Sequence, residues 1–256
     1  MKHTRPPPPA RGEHWLYGRH AVAAALANPA RRWRRLVALA GHEDEAAALL
    51  AAARARPVGA GERLRLLDRA GFARLLPEGA VHQGWALDAE PLTPPALDDI
   101  AAAPREGRRI VVALDQVSDP HNVGAVLRSA AAFGACAVVL AAHGAPPESG
   151  ALAKAASGAL DMVPLLREVN LARGLDRLKA AGFWCCGLDE EAAAPLAALD
   201  LGPRVVLVLG SEGGGLRRLV RERCDFLARL PTRPPLTSLN VSAAAAVALY
   251  ELARGG

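Results

Sequence analysis

The feature that most constrains this chain is a repeated alternation in its second half. Short apolar runs of strand length, RIVVAL (109–114), CAVVLA (136–141), MVPLL (162–166), FWCCGL (183–188), RVVLVL (204–209) and FLARL (226–230), are separated by helical patterns. Those patterns centre near 122–133, 148–156, 170–181 and 214–222, and a last helical stretch covers 239–253. Apolar strands alternating with helices predict an α/β fold with a mainly parallel sheet and helices on both faces. Ligands of such sheets bind beyond the carboxyl ends of the strands, so the residues just after Leu114, Leu209 and Leu230 are where a site is expected.

The first half predicts a smaller α/β domain over 13–91. LVALA (36–40) has a buried-strand pattern, 43–55 a helical one, and RLRLL (63–67) alternates charge and leucine. Asp68 can cap a helix running to about Leu76, and VHQGWALDA (81–89) reads as a closing strand. Residues 1–12 (MKHTRPPPPARG) are expected to be a disordered basic tail, because the proline run removes donors and fixes φ. Pro94, Pro95 and Pro104, with Pro91 just before them, give 92–107 the composition of a linker, with one short helix at 96–102. The larger domain then spans 108–256.

Charge adds a partner class. The net charge is +5, but residues 1–35 hold eight basic residues against one acidic. Arg31, Arg32, Arg34 and Arg35 flank Trp33, a pairing of fixed charge and aromatic plane that suits a polyanion such as RNA, or equally a solvated arginine-rich turn. The apolar runs are short and broken by charges, which argues against a membrane span. No secretory signal is visible, so a cytoplasmic protein is expected. The four cysteines have no metal-ligand spacing and read as reduced core residues; no metal is expected.

Three segments carry chemistry. DQVSDPHNVGAVLRSAAAFGA (115–135) follows a strand; Pro120 keeps Asp119 out of helix, so a helix is expected from about Asn122, with Gly124 and Arg128 on one face. GSEGGGL (210–216) follows another strand, with glycines that permit close backbone approach; it matches neither G-x-G-x-x-G nor a P-loop. Its Glu212 suits holding a cation or orienting an arginine. LPTRPPLTSLNVSAAAAVALYEL (230–252) ends a strand, turns through prolines and opens a helix at Ser238, Asn240 and Ser242. Each segment alone is also explained as plain structure: a cap and a surface arginine, a strand–helix turn, a capped helix.

In this order the three segments resemble the motifs of the SpoU/TrmH family of RNA ribose 2′-O-methyltransferases, in the SPOUT superfamily. The matches fall at Asp119, Pro120, Asn122, Gly124, Arg128, Ala130, Phe133 and Gly134, then at Gly210, Glu212 and Gly215, then at Ser238 to Ser242 with Glu251. YGRHAV (17–22) and HQG (82–84) resemble the family's N-terminal RNA-binding domain. KAASGALDMVPLLREVNLARGL (154–175) is similar to the bacterial subgroup that methylates a guanosine in large-subunit rRNA. The resemblance implies a C-terminal domain with a trefoil knot, S-adenosylmethionine as cofactor, and a homodimer whose active site uses both subunits. It implies cofactor contacts at Leu209, Gly210, Gly215, Leu230, Pro231 and Leu239, and RNA contacts at Arg19 and His82, to which the charge pattern adds Arg31, Arg32, Arg34 and Arg35.

Methyl transfer from a sulfonium is an in-line displacement, so the protein must position and activate the ribose hydroxyl. The resemblance makes Arg128 the residue at the target nucleotide, often assigned as the base. A guanidinium keeps its proton in proteins, so Arg128 is better read as stabilising the developing alkoxide or clamping the adjacent phosphate. Asn122, Glu212, Ser238 and Asn240 would orient it and the hydroxyl. Two alternatives stand beside the rRNA guanosine enzyme: a tRNA ribose methyltransferase of the same family, and a non-catalytic rRNA-binding assembly factor.

Overall fold

The computed structural model describes residues 14–103, 107–235 and 238–254; the tail expected at 1–12 lies outside them. In chain order the elements are β1 (Trp15–Tyr17), α1 (Arg19–Ala27), β2 (Arg32–Leu39), α2 (Glu43–Ala51), β3 (Arg56–Pro57), β4 (Leu64–Leu67), α3 (Arg69–Leu75) and β5 (Trp85–Ala89). There follow α4 (Leu97–Ala102), β6 (Arg109–Leu114), α5 (Pro120–Ala132), β7 (Ala137–Ala141), α6 (Gly150–Ala156), β8 (Leu165–Glu168) and α7 (Leu171–Ala180). The chain continues through β9 (Trp184–Leu188), β10 (Ala194–Pro195), β11 (Arg204–Leu209), α8 (Arg218–Arg223), β12 (Phe226–Arg229) and α9 (Val241–Arg254). They form two units: Met1–Thr93 with Glu148–Met162, and Pro94–Pro147 with Val163–Gly256.

The second unit holds a seven-stranded sheet in the order β10-β12-β9-β11-β6-β7-β8, and every recorded pairing is parallel. Its central strands are buried on both faces, which is why they read as unbroken apolar runs. Each Val or Leu so buried contributes about 1.5–3 kcal/mol of transfer free energy. The register aligns the carboxyl ends: Leu209 lies opposite Leu114, Gly187 opposite Val208, and Leu188 opposite Ala228. α5 packs against α9. α9 turns Val241, Ala245, Ala248, Leu249 and Leu252 inward at helical spacing, with small alanines permitting close approach.

Three boundaries differ from the sequence reading. α5 begins at Pro120 rather than near Asn122, with the Asp119 side chain accepting from the His121 N–H, because proline suits the first helical position. Within the stretch expected as a linker, Leu97, Ile100 and Ala101 join the core of the second unit beside Leu171, Leu175 and Leu178. Buried Arg109 donates to the Ile100 and Ala101 carbonyls, satisfying the end of α4. The third difference is α6, which interrupts the second unit in sequence but folds with the first.

The first unit carries the order β1-β5-β2-β3, with β4 also paired to β2. β1 and β5, and β2 and β5, run antiparallel. Asp68 caps α3 by accepting from the Gly71 N–H at 2.7 Å, as its position before the helix predicts. Trp15, Tyr17, Val37, Phe72, Leu76 and Ala86 form an apolar cluster. All four cysteines are free thiols. Burial pushes the thiols of Cys186 and Cys224 up to about 12 and raises that of Cys185 as well. No helix among the described residues is long and apolar enough to cross a membrane.

Candidate active site

The three sequence segments meet in the second unit. α5 begins one turn from the end of β6, and its Asn122 reaches across to the turn after β11. There the Asn122 Nδ2 donates to Glu212 Oε1 at 3.0 Å. Asn240 Nδ2 donates to the same carboxylate oxygen and, at 3.1 Å, to Asn122 Oδ1. The other end of the Asn240 amide accepts from the Ser242 N–H at 2.8 Å and the Ser242 hydroxyl at 2.6 Å. Asn240 therefore caps α9 with its oxygen and binds Glu212 with its nitrogen, using both halves of one amide.

The turn that carries Glu212 is held at both ends. Ser211 and Gly215 exchange backbone hydrogen bonds of 3.2 and 2.9 Å, and Gly213 and Gly215 have φ of +75° and +60°. The turn folds so tightly onto Gly210 that a Cβ there would lie 2.0 Å from the Gly215 carbonyl carbon. Asp115, fully buried at the end of β6, accepts from the Arg217 N–H at 2.9 Å and from its guanidinium at 2.8 Å. This carboxylate ties the exit of the turn to the sheet.

Beyond the carboxyl ends of β9, β11 and β12 lies a cleft of about 640 Å³. Five of the six expected cofactor contacts line it: Leu209, Gly210, Gly215, Leu230 and Leu239. Ser238 and Glu212 line it too, while Pro231 does not. The sequence reading missed Asp189, Glu190 and Glu191 on its rim, although they directly follow the apolar run FWCCGL. The rule that pointed beyond Leu114, Leu209 and Leu230 applied equally to Leu188. Burial of the Asp189 carboxyl raises its pKa, and its bonds to Arg221 at 2.9 Å and to the Glu191 N–H outweigh that and hold it low.

Arg128 is not part of this network. It sits exposed on α5, and among the described residues nothing holds its guanidinium. Within the single chain Glu212 binds the amides of Asn122 and Asn240 and not the Arg128 expected beside it. Val123, Val126, Leu127 and Ala130 form the buried face of α5 with Gly124 at its margin, and Arg128, one turn on from Gly124, is exposed beside it.

In the first unit the arginine cluster is no turn; Arg32, Trp33, Arg34 and Arg35 lie in β2. Arg31 is 1% exposed and grips Asp161 through two bonds of 2.9 and 3.1 Å and Glu148 through one of 2.9 Å. Its expected RNA contact is ruled out by that burial. Trp33 is a core residue, with its indole N–H donating to the Ala55 carbonyl. Arg32 and Arg34 remain partly exposed and pair with Glu90, Arg34 also with Asp88. Arg35 is half-buried, and Arg19 is exposed and bound to Glu45 at 2.6 Å. His82 stacks on Phe72 with ring centroids 4.3 Å apart.

Comparison with known proteins gives this geometry a family. Residues 109–250 match the SpoU rRNA methylase family, and residues 15–95 match the RNA 2′-O ribose methyltransferase substrate-binding domain. The chain is 40% identical over 245 residues to the 23S rRNA (guanosine-2′-O-)-methyltransferase RlmB of Pseudomonas aeruginosa, covering 93% of this chain and 95% of that one. RlmB of Coxiella burnetii is 39% identical over 243 residues, covering 93% and 94%. In fold it is similar to the SpoU methyltransferase AviRb from Streptomyces viridochromogenes in complex with AdoMet, with a TM-score of 0.77 at 24% identity over 95% of this chain and 90% of that one. With both domains matched and the three motifs joined at the carboxyl ends of a parallel sheet, the chain belongs to the SpoU rRNA methylase family.

Proposed function

We propose that this protein transfers a methyl group from S-adenosylmethionine to the ribose 2′-hydroxyl of a guanosine in 23S rRNA. The observation that carries the reading is the Asn122–Glu212–Asn240 network at the edge of the cleft, with full-length similarity to guanosine-2′-O-methyltransferases. The cleft fits the cofactor in size and chemistry. Its volume suits a nucleoside-sized ligand, Leu209, Leu230 and Leu239 offer apolar walls, and the carboxylates of Glu190 and Glu191 complement a cationic molecule. When bound, S-adenosylmethionine supplies an electrophilic methyl on its sulfonium.

The chain's own groups then hold the acceptor. Gly210 and Gly215 would present backbone to the cofactor, and Ser238 and Leu239 close the cleft at the entrance to α9. The Glu212 carboxylate fixes the amides of Asn122 and Asn240 so that α5, the glycine turn and α9 keep one geometry. Arg128 clamps the target nucleotide, its charge favouring oxygen as it gains negative charge.

A homodimer would give Arg128, exposed on the single chain, partners from a second copy. The outer face of α9 shows Val247 and Tyr250, with Tyr250 edge-on to Phe133. A second copy on this face would cover them and bring new partners to the site; sedimentation of the purified protein tests it. A cytoplasmic location follows from the substrate. Ribose-methylation mapping of 23S rRNA and tRNA from strains with and without the protein tests the function. One 23S guanosine that loses its methyl is expected; a lost tRNA methyl, or none, removes the reading.

A further inference from the structure

Three stretches that the proposed site does not use come together in the first unit: Tyr17–His20, His82–Gly84 and the last turn of α6. Lys154, in that turn, lays its stem over Gly18, where φ is +94° and a Cβ would fall 2.5 Å from the lysine Cδ and 2.9 Å from Nζ. The positive φ favours glycine at 18, and a side chain there would push the lysine aside. The Lys154 ammonium donates to Gln83 Oε1. Gln83 holds φ at +54°, a left-handed backbone that a residue with a Cβ adopts only when its surroundings impose it. Beside it, His82 Nδ1 accepts from the Gly84 N–H at 3.0 Å, and burial lowers the ring's pKa. The neutral ring therefore carries its proton on Nε2, as a donor.

What this cluster lacks is an anion. Among the described residues no carboxylate lies within ion-pair distance of Lys154, whereas Lys179 binds Asp225 at 2.6 Å. Lys154 is half-buried, burial lowers its pKa, and its bonded partner among the described residues is a neutral amide. Two of its three N–H donors remain to be used. Lysines are scarce here, three against 28 arginines, and the close approach to Gly18 favours a compact ammonium over a planar guanidinium.

We propose that Lys154, steered by Gln83 and Gly18, binds a backbone phosphate of the RNA substrate. A phosphate supplies the missing anionic acceptor, and a point-charge lysine suits positioning rather than base reading. The contact comes from a segment inside the methylase span of the sequence that folds with the substrate-binding unit. The proposal rests on the rRNA reading above.

The test is Lys154→Met, with binding of a 23S rRNA fragment measured across a salt series. The slope of log K against log salt is expected to flatten by about one, with affinity several-fold weaker at low salt. Cofactor binding and the thermal midpoint are expected to stay at the wild-type values. An unchanged slope overturns the proposal and leaves Lys154 a packing residue. A second measurement needs no variant: lysine acetylation of the wild-type protein, read by mass spectrometry at Lys2, Lys154 and Lys179. RNA is expected to protect Lys154, and equal acetylation with and without RNA overturns the proposal. A wild-type protein that neither binds nor methylates the fragment sinks both readings; one that methylates it while Lys154→Met keeps its slope sinks only this one.

Discussion

Glu212 shows how much one carboxylate can organise. Its Oε1 accepts from amides on two different helices, Asn122 of α5 and Asn240 at the start of α9. Hydrogen bonds to a charged acceptor are worth about 1.5–3 kcal/mol, against about 1 for neutral pairs. Glu212→Gln keeps an oxygen in place but removes the charge. Single-turnover methylation is expected to slow by about ten-fold, since about 1.4 kcal/mol is a factor of ten; an unchanged rate would show that the network is packing only. Arg128→Lys keeps charge and loses the planar fork. Turnover is expected to fall by about a hundred-fold, the scale of losing a transition-state donor, with cofactor affinity by calorimetry unchanged. Near-wild-type turnover would remove the clamp. The sequence pointed to each of these residues through motif spacing. It could not say that Glu212 partners amides rather than an arginine, because both donors are chemically acceptable and only their placement distinguishes them.

At the scale of elements, the site depends on one tight turn. Gly210 and Gly215 touch so closely that any side chain at 210 forces the turn open. Gly210→Ala is therefore expected to lose cofactor binding by calorimetry while the far-UV circular dichroism spectrum keeps its wild-type shape. Retained affinity would mean that the turn can relax at no cost to the cleft. Asp115 secures the other end of the same turn, buried while its partner Arg217 is half-exposed. Asp115→Ala leaves the Arg217 N–H without its acceptor and is expected to cost about 2 kcal/mol in urea unfolding. The strands beneath were legible because burial on both faces leaves unbroken apolar runs. β10 was not, since a two-residue strand has no period to read. The acidic rim after Leu188 was legible in principle, by the same carboxyl-end rule that located the rest of the cleft.

At the scale of the whole molecule, Arg31 decides which residues belong together. It joins the segment before β2 to Glu148 and Asp161, which lie more than a hundred residues later, all within the first unit. Removing one partner of a buried ion pair costs about 3–5 kcal/mol, because the other charge stays buried alone. Arg31→Ala is expected to lower the urea midpoint seen by tryptophan fluorescence, to which Trp15, Trp33 and Trp85 of this unit contribute, rather than to weaken RNA binding directly. A midpoint equal to wild type would return Arg31 to the RNA-contacting set. By itself the sequence determined the α/β class, the parallel sheet and the three motifs whose order marks the family, because periodicity and spacing are local properties written along the chain. Tertiary structure alone decided that Leu97, Ile100 and Ala101 of the expected linker are core, that α6 folds with the first unit, that Arg31 is a buried clamp and that Glu212 holds two amides. Those outcomes depend on which distant groups share a low-dielectric interior, and no local pattern records that.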